Sequence, residues 1–372
     1  DKNLWSDKGE GDKISFYKSY DEIDEVFYII RKIKELISKG VPYSDIAILY
    51  RTNAQSRVFE QELLKQNIPF RIVGSFYFYS RKEIKDLLAY LRLIINTDDD
   101  ISLMRSINTP KRGIGPKTIS EIEANAEAYN TSMYDAIKDG KALEFKKTIE
   151  ELKEDLKSCS LTEFIDKVLD KSGMKEALKQ EKSLEADIRL ENLEEFKSVT
   201  KNFEERVGLI SLEEFLTEIS LVSDIEEYKD DPNRITLMTV HSVKGLEYPY
   251  VFLAGMEEGL FPHKNSYSPD ELEEERRLMY VAITRAMKKL WITSAKKRTI
   301  YGQESPSILS RFVREIDQNL LEKENKEQEP QVKKEKRVHE SDQLFNYGDK
   351  VHHDKYGDGV VIEVTNTILT VA

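Results

Sequence analysis

Nine consecutive residues, Thr239–Glu247, combine side chains that can bind a nucleotide or a nucleic acid. The segment reads TVHSVKGLE and contains His241, Lys244, Gly245 and Glu247. It follows an apolar run that indicates a strand and opens towards a predicted helix, and ligands of open α/β sheets gather at the carboxyl ends of the strands. Glycine lets backbone approach a ligand, and a helix start favours phosphate. A solvated strand-to-helix loop is the alternative for any single residue, but the whole string favours a binding segment.

A second segment places an arginine inside an apolar stretch. Residues 273–293 read EEERRLMYVAITRAMKKLWIT, with Arg285 between Thr284 and Ala286. A guanidinium is always charged and needs an anionic partner in such surroundings, and a phosphate would supply one. Residues 276–302 hold eight basic side chains and no acidic one, a pattern also typical of a solvated helix face.

Two polar residues, Arg51 and Asn53, follow a short apolar run that predicts a strand. Their side chains should leave the sheet at its carboxyl end, on the ligand side. Contacts of Arg and Asn with the nucleic-acid backbone, without reading of bases, suit a protein that moves over any sequence. The alternative for Asn53 is an N-cap of the following helix. The aromatic run 76–79 is interpreted as hinge packing rather than as a base-stacking platform.

The segment KRGIGPKT, residues 111–118, invites confusion with a nucleotide-binding loop. A P-loop requires GxxxxGK[ST], whereas here a proline separates the second glycine from the lysine and helical sequence precedes it. The glycines instead let backbone amides converge on an anion, and the flanking cations suit duplex phosphates. A plain helix–helix turn is the alternative. The residues predicted to contact DNA are Arg112, Gly113, Gly115 and Lys117.

The elements around these segments predict an α/β domain interrupted by a helical one. In chain order they are a helix over 21–38, a strand over 45–50, a helix over 54–66, a strand over 70–73, helices from 81 to about 228, strands over 234–240 and 249–255, a helix over 271–287 and a strand over 289–294. Alternation of strands and helices is typical of a parallel sheet. We therefore predict one parallel α/β domain split by an inserted all-helical domain.

Length and composition limit the class of protein. The 372 residues predict two or three domains, and a formal charge of −12 excludes a uniformly basic nucleic-acid coat but not a local basic face. The single cysteine, Cys159, indicates a reducing compartment. There is neither an apolar run long enough for a bilayer nor a signal peptide, which predicts a cytoplasmic protein without membrane contact. The polar start without Met leads us to expect a fragment.

The C-terminal region changes character. Residues 321–340 hold six acidic and six basic side chains, which predicts a flexible linker. Residues 345–372 show short β runs with a hairpin signal at 356–359, and they stop so early that a small barrel would lack its last strands. His352 and His353 are adjacent, so on a strand they point to opposite faces and make a poor metal pair.

These motifs resemble those of superfamily 1 DNA helicases, in particular the C-terminal half of the bacterial PcrA/UvrD group. TVHSVKGLE with VFLAGMEEGLFPH resembles motif V, YVAITRAMKKL resembles motif VI, and LYRTNAQSRVFEQEL with SRKEIKDLLAYLRL is similar to the segment around motif IV. The resemblance covers residues 1–316. It implies a RecA-like, P-loop-NTPase-like sheet domain 2A without its own P-loop, interrupted by the helical domain 2B. The implied boundaries are 1–78 and 231–318 for 2A, 79–230 for 2B, 319–343 for the linker and 344–372 for a partial Tudor-like barrel.

The resemblance also implies roles for individual residues. Arg285 would be an arginine finger that reaches the γ-phosphate of ATP held mainly by the first RecA-like domain. Glu247 would contact the nucleotide ribose beside Gly245. The residues that would hold single-stranded DNA or couple it to the nucleotide are Arg51, Asn53, His241, Lys244 and His263.

The activity implied is that of an ATP-dependent 3′ to 5′ DNA helicase and translocase of DNA repair and plasmid replication in a bacterium. ATP and Mg²⁺ would be held mainly by an N-terminal domain, because the chain has no Walker A and residues 21–25 suit a helix N-terminus better than a Walker B. We expect the chain alone to be inactive. Its partners would be single-stranded DNA, single-strand/duplex junctions and, through residues 347–359, RNA polymerase. The alternative is a non-catalytic DNA-binding or regulatory module with a helicase-like fold.

Overall fold

The computed structural model describes residue 9 and residues 11–208, 211–223, 232–266, 268–324, 350–353, 357–364 and 369–371. The chain divides into two units, residues 1–324 and residues 325–372. The predicted sheet and helical insertion belong to the first unit, and the C-terminal β segment belongs to the second.

A parallel sheet forms the centre of the first unit. The strands described there are β1 (Ile14–Ser19), β2 (Ile46–Tyr50), β3 (Phe70–Val73), β4 (Ile235–Thr239), β5 (Tyr248–Leu253), β6 (Ala286–Ala295), β7 (Lys297–Ile300), β8 (Gln303–Pro306) and β9 (Leu321–Lys323). Seven of them form one sheet in the order β3-β4-β2-β5-β6-β1-β9, and every neighbouring pair is parallel. Strands from before the helical insertion pair with strands from after it, which confirms one sheet built from both parts of the chain. β7 and β8 form a separate antiparallel hairpin.

Helices cover the sheet and form the insertion. Their bounds are α1 (Glu22–Ser38), α2 (Ser56–Lys65), α3 (Lys82–Ile95), α4 (Asp100–Ser106), α5 (Pro116–Tyr129), α6 (Gly140–Leu156), α7 (Leu161–Lys171), α8 (Met174–Glu181), α9 (Leu184–Val207), α10 (Leu212–Ser223), α11 (Pro269–Ile283) and α12 (Arg311–Glu315). α1 begins as predicted, because the Asp21 carboxylate caps it by accepting from the amides of Ile23 and Asp24.

Both faces of the sheet are buried. All residues of β2 are buried, and alternate ones belong to different cores: Ile48 packs with the α1 and α2 side chains, whereas Leu49 packs on the opposite face with Met279 of α11. A parallel sheet covered on both faces has continuous apolar strands, which explains the unbroken run at residues 46–50. A third core, centred on side chains such as Leu87 and Phe164, lies within the helical insertion.

Three local predictions are wrong. The helix predicted over 271–287 ends at Ile283, because β6 begins at Ala286 and pairs there with Tyr248 of β5. The segment after β4 does not open a helix, since residues 240–245 form turns. The linker predicted from residue 319 begins instead with β9, whose Glu322 pairs in parallel with Ser15 of β1. Polar residues suit such an outermost strand, because only one of its edges is paired.

The second unit contains a small antiparallel sheet of β10 (Lys350–His353), β11 (Gly357–Val364) and β12 (Leu369–Val371). β10 pairs with β11 as expected for a hairpin, but residues 357–359 of the predicted turn belong to β11 and pair with residues 351–353. His352 is exposed and its Nδ1 lies 2.5 Å from Oδ1 of Asp358, while the side chain of His353 lies outside the described residues.

Two absences concern the part of the chain that the structure describes. Its helices include none with the length and apolar character that crossing a bilayer requires. Within the same part, no group of three or more His, Cys, Asp or Glu side chains could hold a metal ion.

Candidate nucleotide and DNA sites

The predicted site residues on the sheet lie at two opposite sides of it. We call the side where the parallel strands end the carboxyl edge and the side where they begin the amino edge. Arg51 directly follows β2 and His241 lies just beyond β4, and the last residues of these neighbouring strands are in register. Glu247 and Arg285 directly precede β5 and β6, whose first residues, Tyr248 and Ala286, are paired. The expectation that Glu247 emerges beside His241 at the carboxyl ends is therefore wrong. The loop between β4 and β5 crosses the sheet and carries Glu247 to the amino edge.

Arg285 is held at the amino edge by uncharged oxygens. Its Nε donates to the Val281 carbonyl at 3.0 Å, Nη1 to the Leu246 carbonyl at 3.1 Å and Nη2 to Oγ1 of Thr284 at 3.0 Å. In return, the Arg285 carbonyl accepts from the amide of Tyr248 at 2.9 Å. Among the described residues Arg285 forms no ion pair, so its charge is not neutralised by a carboxylate.

The loop beside Arg285 is open to solvent. Gly245 has φ +87°, a conformation that other residues rarely adopt, and a Cβ added there would meet no atom within 4 Å. Lys244 and Glu247 are exposed. The amino edge thus combines a free guanidinium charge, an approachable backbone and an exposed carboxylate, which suits a ligand that carries both phosphate and hydroxyl groups.

Arg51, at the carboxyl edge, is already paired with a carboxylate. Its Nε lies 3.1 and 2.9 Å from the two Glu275 oxygens, and Nη2 lies 2.5 Å from Oε1. The side chains are 17% and 5% exposed. Oε2 of Glu275 also accepts from the amide of His263 at 3.1 Å. The predicted DNA residues Arg51 and His263 therefore converge on Glu275 of α11.

The sequence interpretation missed Glu275. It is one of three consecutive glutamates, Glu273–Glu275, and their residue type does not distinguish them. Helical spacing does: Glu275 stands four and seven residues before Met279 and Ala282, and these three are the buried residues of α11. A carboxylate on the buried stripe of an amphipathic helix requires a partner, and this signal could have identified it.

The charges of this cluster shift its titration. Burial alone raises the pKa of Glu275, but the hydrogen bonds and charge of Arg51 and the amide of His263 outweigh it and place that pKa below its usual range. The pKa of His241 is also lowered, first because protein around the ring excludes water and second because Arg51 lies nearby. The lowered pKa of Glu275 favours its charged form, whereas the lowered pKa of His241 favours its neutral form.

Asn53 does not cap the following helix. Thr52 occupies the N-cap position of a short 3₁₀ turn, Asn53–Gln55, that precedes α2. Oε1 of Gln55 accepts from the amides of Arg51 and Thr52 at 3.0 and 2.9 Å. No hydrogen bond of the Asn53 side chain to another described residue is found. The alternative that Asn53 is an N-cap is thus wrong, and the side-chain amide of Asn53 is available to a ligand.

Arg112 points into the helical insertion instead of towards a ligand. Its Nη2 donates to Oη of Tyr90 and to the Ser172 carbonyl, both at 2.6 Å, and Nη1 contacts three more carbonyls at 3.1 to 3.3 Å. The guanidinium also lies 5.3 Å from the centre of the Phe145 ring. This placement contradicts direct phosphate contact by Arg112 and assigns it to the support of the turn.

The rest of the turn faces solvent at the start of α5. Gly115 is the N-cap residue and Lys117 lies in the first turn with a side chain that is 91% exposed. Gly113 has φ +74° and a Cβ there would lie 2.8 Å from Nζ of Lys141, so another cation is near. The backbone amides of Gly113 and Gly115 and the side chain of Lys117 can therefore approach an anion, whereas Arg112 cannot.

The aromatic run has two environments. Phe78 and Tyr79 are buried in the core of the insertion, as the packing interpretation predicts. The Tyr77 ring meets the Phe70 ring edge-on at 5.6 Å. Phe76 differs because it is 74% exposed, so packing does not account for it.

Comparison with known proteins supplies a family. The model of the UvrD-like helicase C-terminal domain matches residues 1–297. A protein from Staphylococcus epidermidis (strain RP62A) named ATP-dependent DNA helicase PcrA is 44% identical, over 98% of this chain and 54% of the relative. A protein of the same name from Staphylococcus aureus (strain Mu50) gives the same figures. The chain thus spans about half the length of the curated relatives it matches.

Structural comparison adds little. A crystal structure described as the C-terminal domain of a possible DNA helicase from Lactobacillus plantarum WCFS1 is 20% identical and covers 30% of this chain and 60% of its own. Its TM-score is 0.19, so it does not bear on the fold.

Proposed function

Because the chain belongs to the UvrD-like helicase C-terminal domain family, we propose that it is the C-terminal portion of an ATP-dependent DNA helicase that moves 3′ to 5′ along single strands. The observation that carries this proposal is Arg285, whose charge no described carboxylate neutralises, beside the open Gly245 loop and exposed Glu247. A companion RecA-like domain would hold most of the nucleotide against this edge.

The residues at the amino edge fit a nucleotide. Arg285 has the fork of donors that matches phosphate oxygens, and it can release the Leu246 carbonyl without leaving a charge unpaired. Gly245 allows backbone approach, and Glu247 can accept from sugar hydroxyls. ATP supplies the phosphoryl group and the free energy of its hydrolysis, while Arg285 stabilises charge on the phosphoryl oxygens. We propose that Mg²⁺ arrives with the nucleotide and is held by the companion domain.

The carboxyl edge supports the proposed DNA path. Arg51, Asn53 and His241 lie at the ends of neighbouring strands, and Lys244 extends from the loop that joins the two edges. Contacts of this kind hold the phosphate backbone without reading bases, as a translocating protein requires. At a single-strand/duplex junction, the amides of Gly113 and Gly115 with Lys117 would bind the duplex backbone.

The wider organisation completes the proposal. Residues 1–78 and 231–318 form domain 2A, residues 79–230 form domain 2B, and residues 344–372 form part of a Tudor-like barrel that binds RNA polymerase. The setting is the cytoplasm of a bacterium, in DNA repair and plasmid replication. The separate core of the helical insertion supports the division between 2A and 2B.

The test is DNA-stimulated ATP hydrolysis by the purified 372-residue chain and by a full-length helicase polypeptide that contains it. We expect activity only in the longer protein, because the chain has no Walker A. Hydrolysis by the chain alone would contradict the division of the ATP site. Absence of hydrolysis from both proteins, with DNA binding intact, would favour the non-catalytic module.

A further inference from the structure

Four groups form a continuous line of contacts from Arg51 to the helical insertion. Arg51 forms its two-oxygen pair with Glu275, and the amide of His263 donates to the same carboxylate. The His263 ring then lies against the insertion, with Nε2 at 3.2 Å from Oε1 of Glu191 on α9. The line therefore joins β2, α11, the loop after β5 and α9.

Glu275 occupies the part of Arg51 that a phosphate would use. A carboxylate and a phosphate both present oxygens to the planar guanidinium fork, so they compete for the same donors. Here Glu275 accepts from Nε and Nη2 together, and its side chain is 5% exposed. Oε2 is fixed further by the His263 amide at 3.1 Å.

Glu275 differs from the neighbouring glutamates of α11 in its partner and its burial. Glu273 and Glu274 pair with Arg276 and Arg277 three residues later on the same exposed helix face. Such pairs contribute little to stability or orientation. Glu275 instead is buried and pairs with Arg51, which lies 224 positions away in the sequence. Its effect on Arg51 is therefore much larger than that of an exposed pair.

We propose that Glu275 is a positioning residue that holds Arg51 in the DNA-free protein and must yield part of its fork to a DNA phosphate. His263 and Glu191 keep Glu275 in place, so the position of α9 affects how readily Arg51 is released. This inference rests on the proposed role of Arg51 in single-strand binding. It adds a competitor for that residue and a contact by which the helical insertion reaches it.

The test is single-strand affinity, measured with an oligo-dT probe on the 372-residue chain over a range of salt concentrations. Glu275→Gln keeps the side-chain shape and removes the competing charge. We expect about tenfold tighter binding at low salt, since hydrogen bonds to charged groups are strong, and a salt slope steeper by about one. Glu274→Gln is the matched control and should leave both quantities unchanged.

A double-variant cycle separates this inference from the proposed function. Arg51→Ala should weaken binding, and Glu275→Gln added to it should have no further effect, because the competitor then has nothing to hold. An unchanged affinity in Arg51→Ala would overturn the DNA role of Arg51. Weakening by Arg51→Ala without tightening by Glu275→Gln would overturn the Glu275 inference alone, and so would additive effects.

Two further variants complete the design. If Glu275→Gln does not fold, Glu275→Asp serves instead: its shorter side chain cannot reach both donors, so binding should tighten by a smaller factor, and unchanged binding would refute the inference. Glu191→Gln should tighten binding about twofold, since it removes the negative charge from one partly exposed contact. Glu185→Gln, whose partner Arg189 lies on the same helix, is its control, and an equal response of the two variants would refute the link to α9.

Discussion

Arg51 and Arg285 lie at opposite edges of one sheet and differ in their partners. Arg51 meets a buried carboxylate through Nε and Nη2, whereas the partners of the Arg285 guanidinium among the described residues are two carbonyls and a hydroxyl. A carboxylate partner neutralises a guanidinium, whereas neutral oxygens orient it and leave the charge available. In the proposed function, Arg285 would therefore bind an anion directly, whereas Arg51 would exchange the Glu275 carboxylate for another anion.

The helix α11 contributes to the surroundings of both arginines. α11 starts at the carboxyl edge, where Glu275 meets Arg51, and ends at the amino edge, where Arg285 follows it. The eight helical steps from Glu275 to the last helical residue, Ile283, span about 12 Å. Met279 and Ala282 fix this helix on the sheet, so any shift of α11 moves both contacts.

Short of removing Arg285 itself, the largest effect should come from giving Arg285 the kind of partner that Arg51 has. Thr284→Asp replaces the neutral acceptor of Nη2 with a carboxylate. In the full-length protein we expect DNA-stimulated ATP hydrolysis to fall about 100-fold, because the nucleotide must compete with a charge-assisted hydrogen bond. Thr284→Asn has the same size without the charge and should stay near the unsubstituted rate. Equal rates for the two variants would break the comparison.

The next largest effect concerns Arg112, whose hydrogen bonds stabilise the turn before α5. Arg112→Ala removes five hydrogen bonds of Arg112 and should lower the free energy of unfolding by about 2–4 kcal/mol. Lys117→Ala, with an exposed side chain, should leave stability unchanged and weaken duplex binding several-fold. Chemical denaturation and a duplex titration measure the two. Weaker duplex binding by a stably folded Arg112→Ala protein would restore its direct phosphate contact.

A smaller effect is expected at the carboxyl edge. Arg51→Ala combined with Asn53→Ala should weaken single-strand binding about tenfold and reduce the salt slope by about one. The loss is limited because Arg51 also gives up its contact with Glu275 when it binds a phosphate. A salt titration of affinity measures this, and an unaltered affinity would remove Arg51 and Asn53 from the DNA path.

The smallest effect is a pH dependence. The folded pKa of His241 lies below its ordinary value, so the unfolded chain binds more protons there and stability falls as pH drops from about 7 towards 5. His241→Gln should reduce that slope of the unfolding free energy against pH, as measured by chemical denaturation at a series of pH values. An unchanged slope in His241→Gln would contradict a lowered pKa of His241 in the folded protein.

The sequence predicted the elements better than the partners. Apolar periodicity located α1, β3 and the interleaved sheet, because burial on both sides of a parallel sheet leaves a local pattern. The partner of Arg51 lies 224 residues away and could not be read from local spacing. Charge alone suggested a phosphate contact for Arg112, but carbonyl oxygens of its own turn satisfy that side chain.

Glu247 lies at the amino edge instead of the predicted carboxyl edge for a physical reason. A strand followed by glycine and lysine predicts a ligand loop that turns into a helix at the carboxyl edge. Here residues 240–247 return to the start of β5 without a helix, so the same motif serves both edges. Gly245 with φ +87° belongs to that return. Only the pairing of Tyr248 with Ala286 reveals that Glu247 and Arg285 are neighbours.

The most direct measurement is DNA-stimulated ATP hydrolysis by the full-length protein with Arg285→Ala, compared with Arg277→Ala. Arg277 lies on the same helix, is exposed and pairs with Glu274, so its loss controls for the removal of a positive charge. The account predicts a loss of about 10³-fold or more for Arg285→Ala, the range of arginine fingers, and a nearly unchanged rate for Arg277→Ala. An unchanged rate for Arg285→Ala, in a protein that still folds and binds DNA, would contradict it.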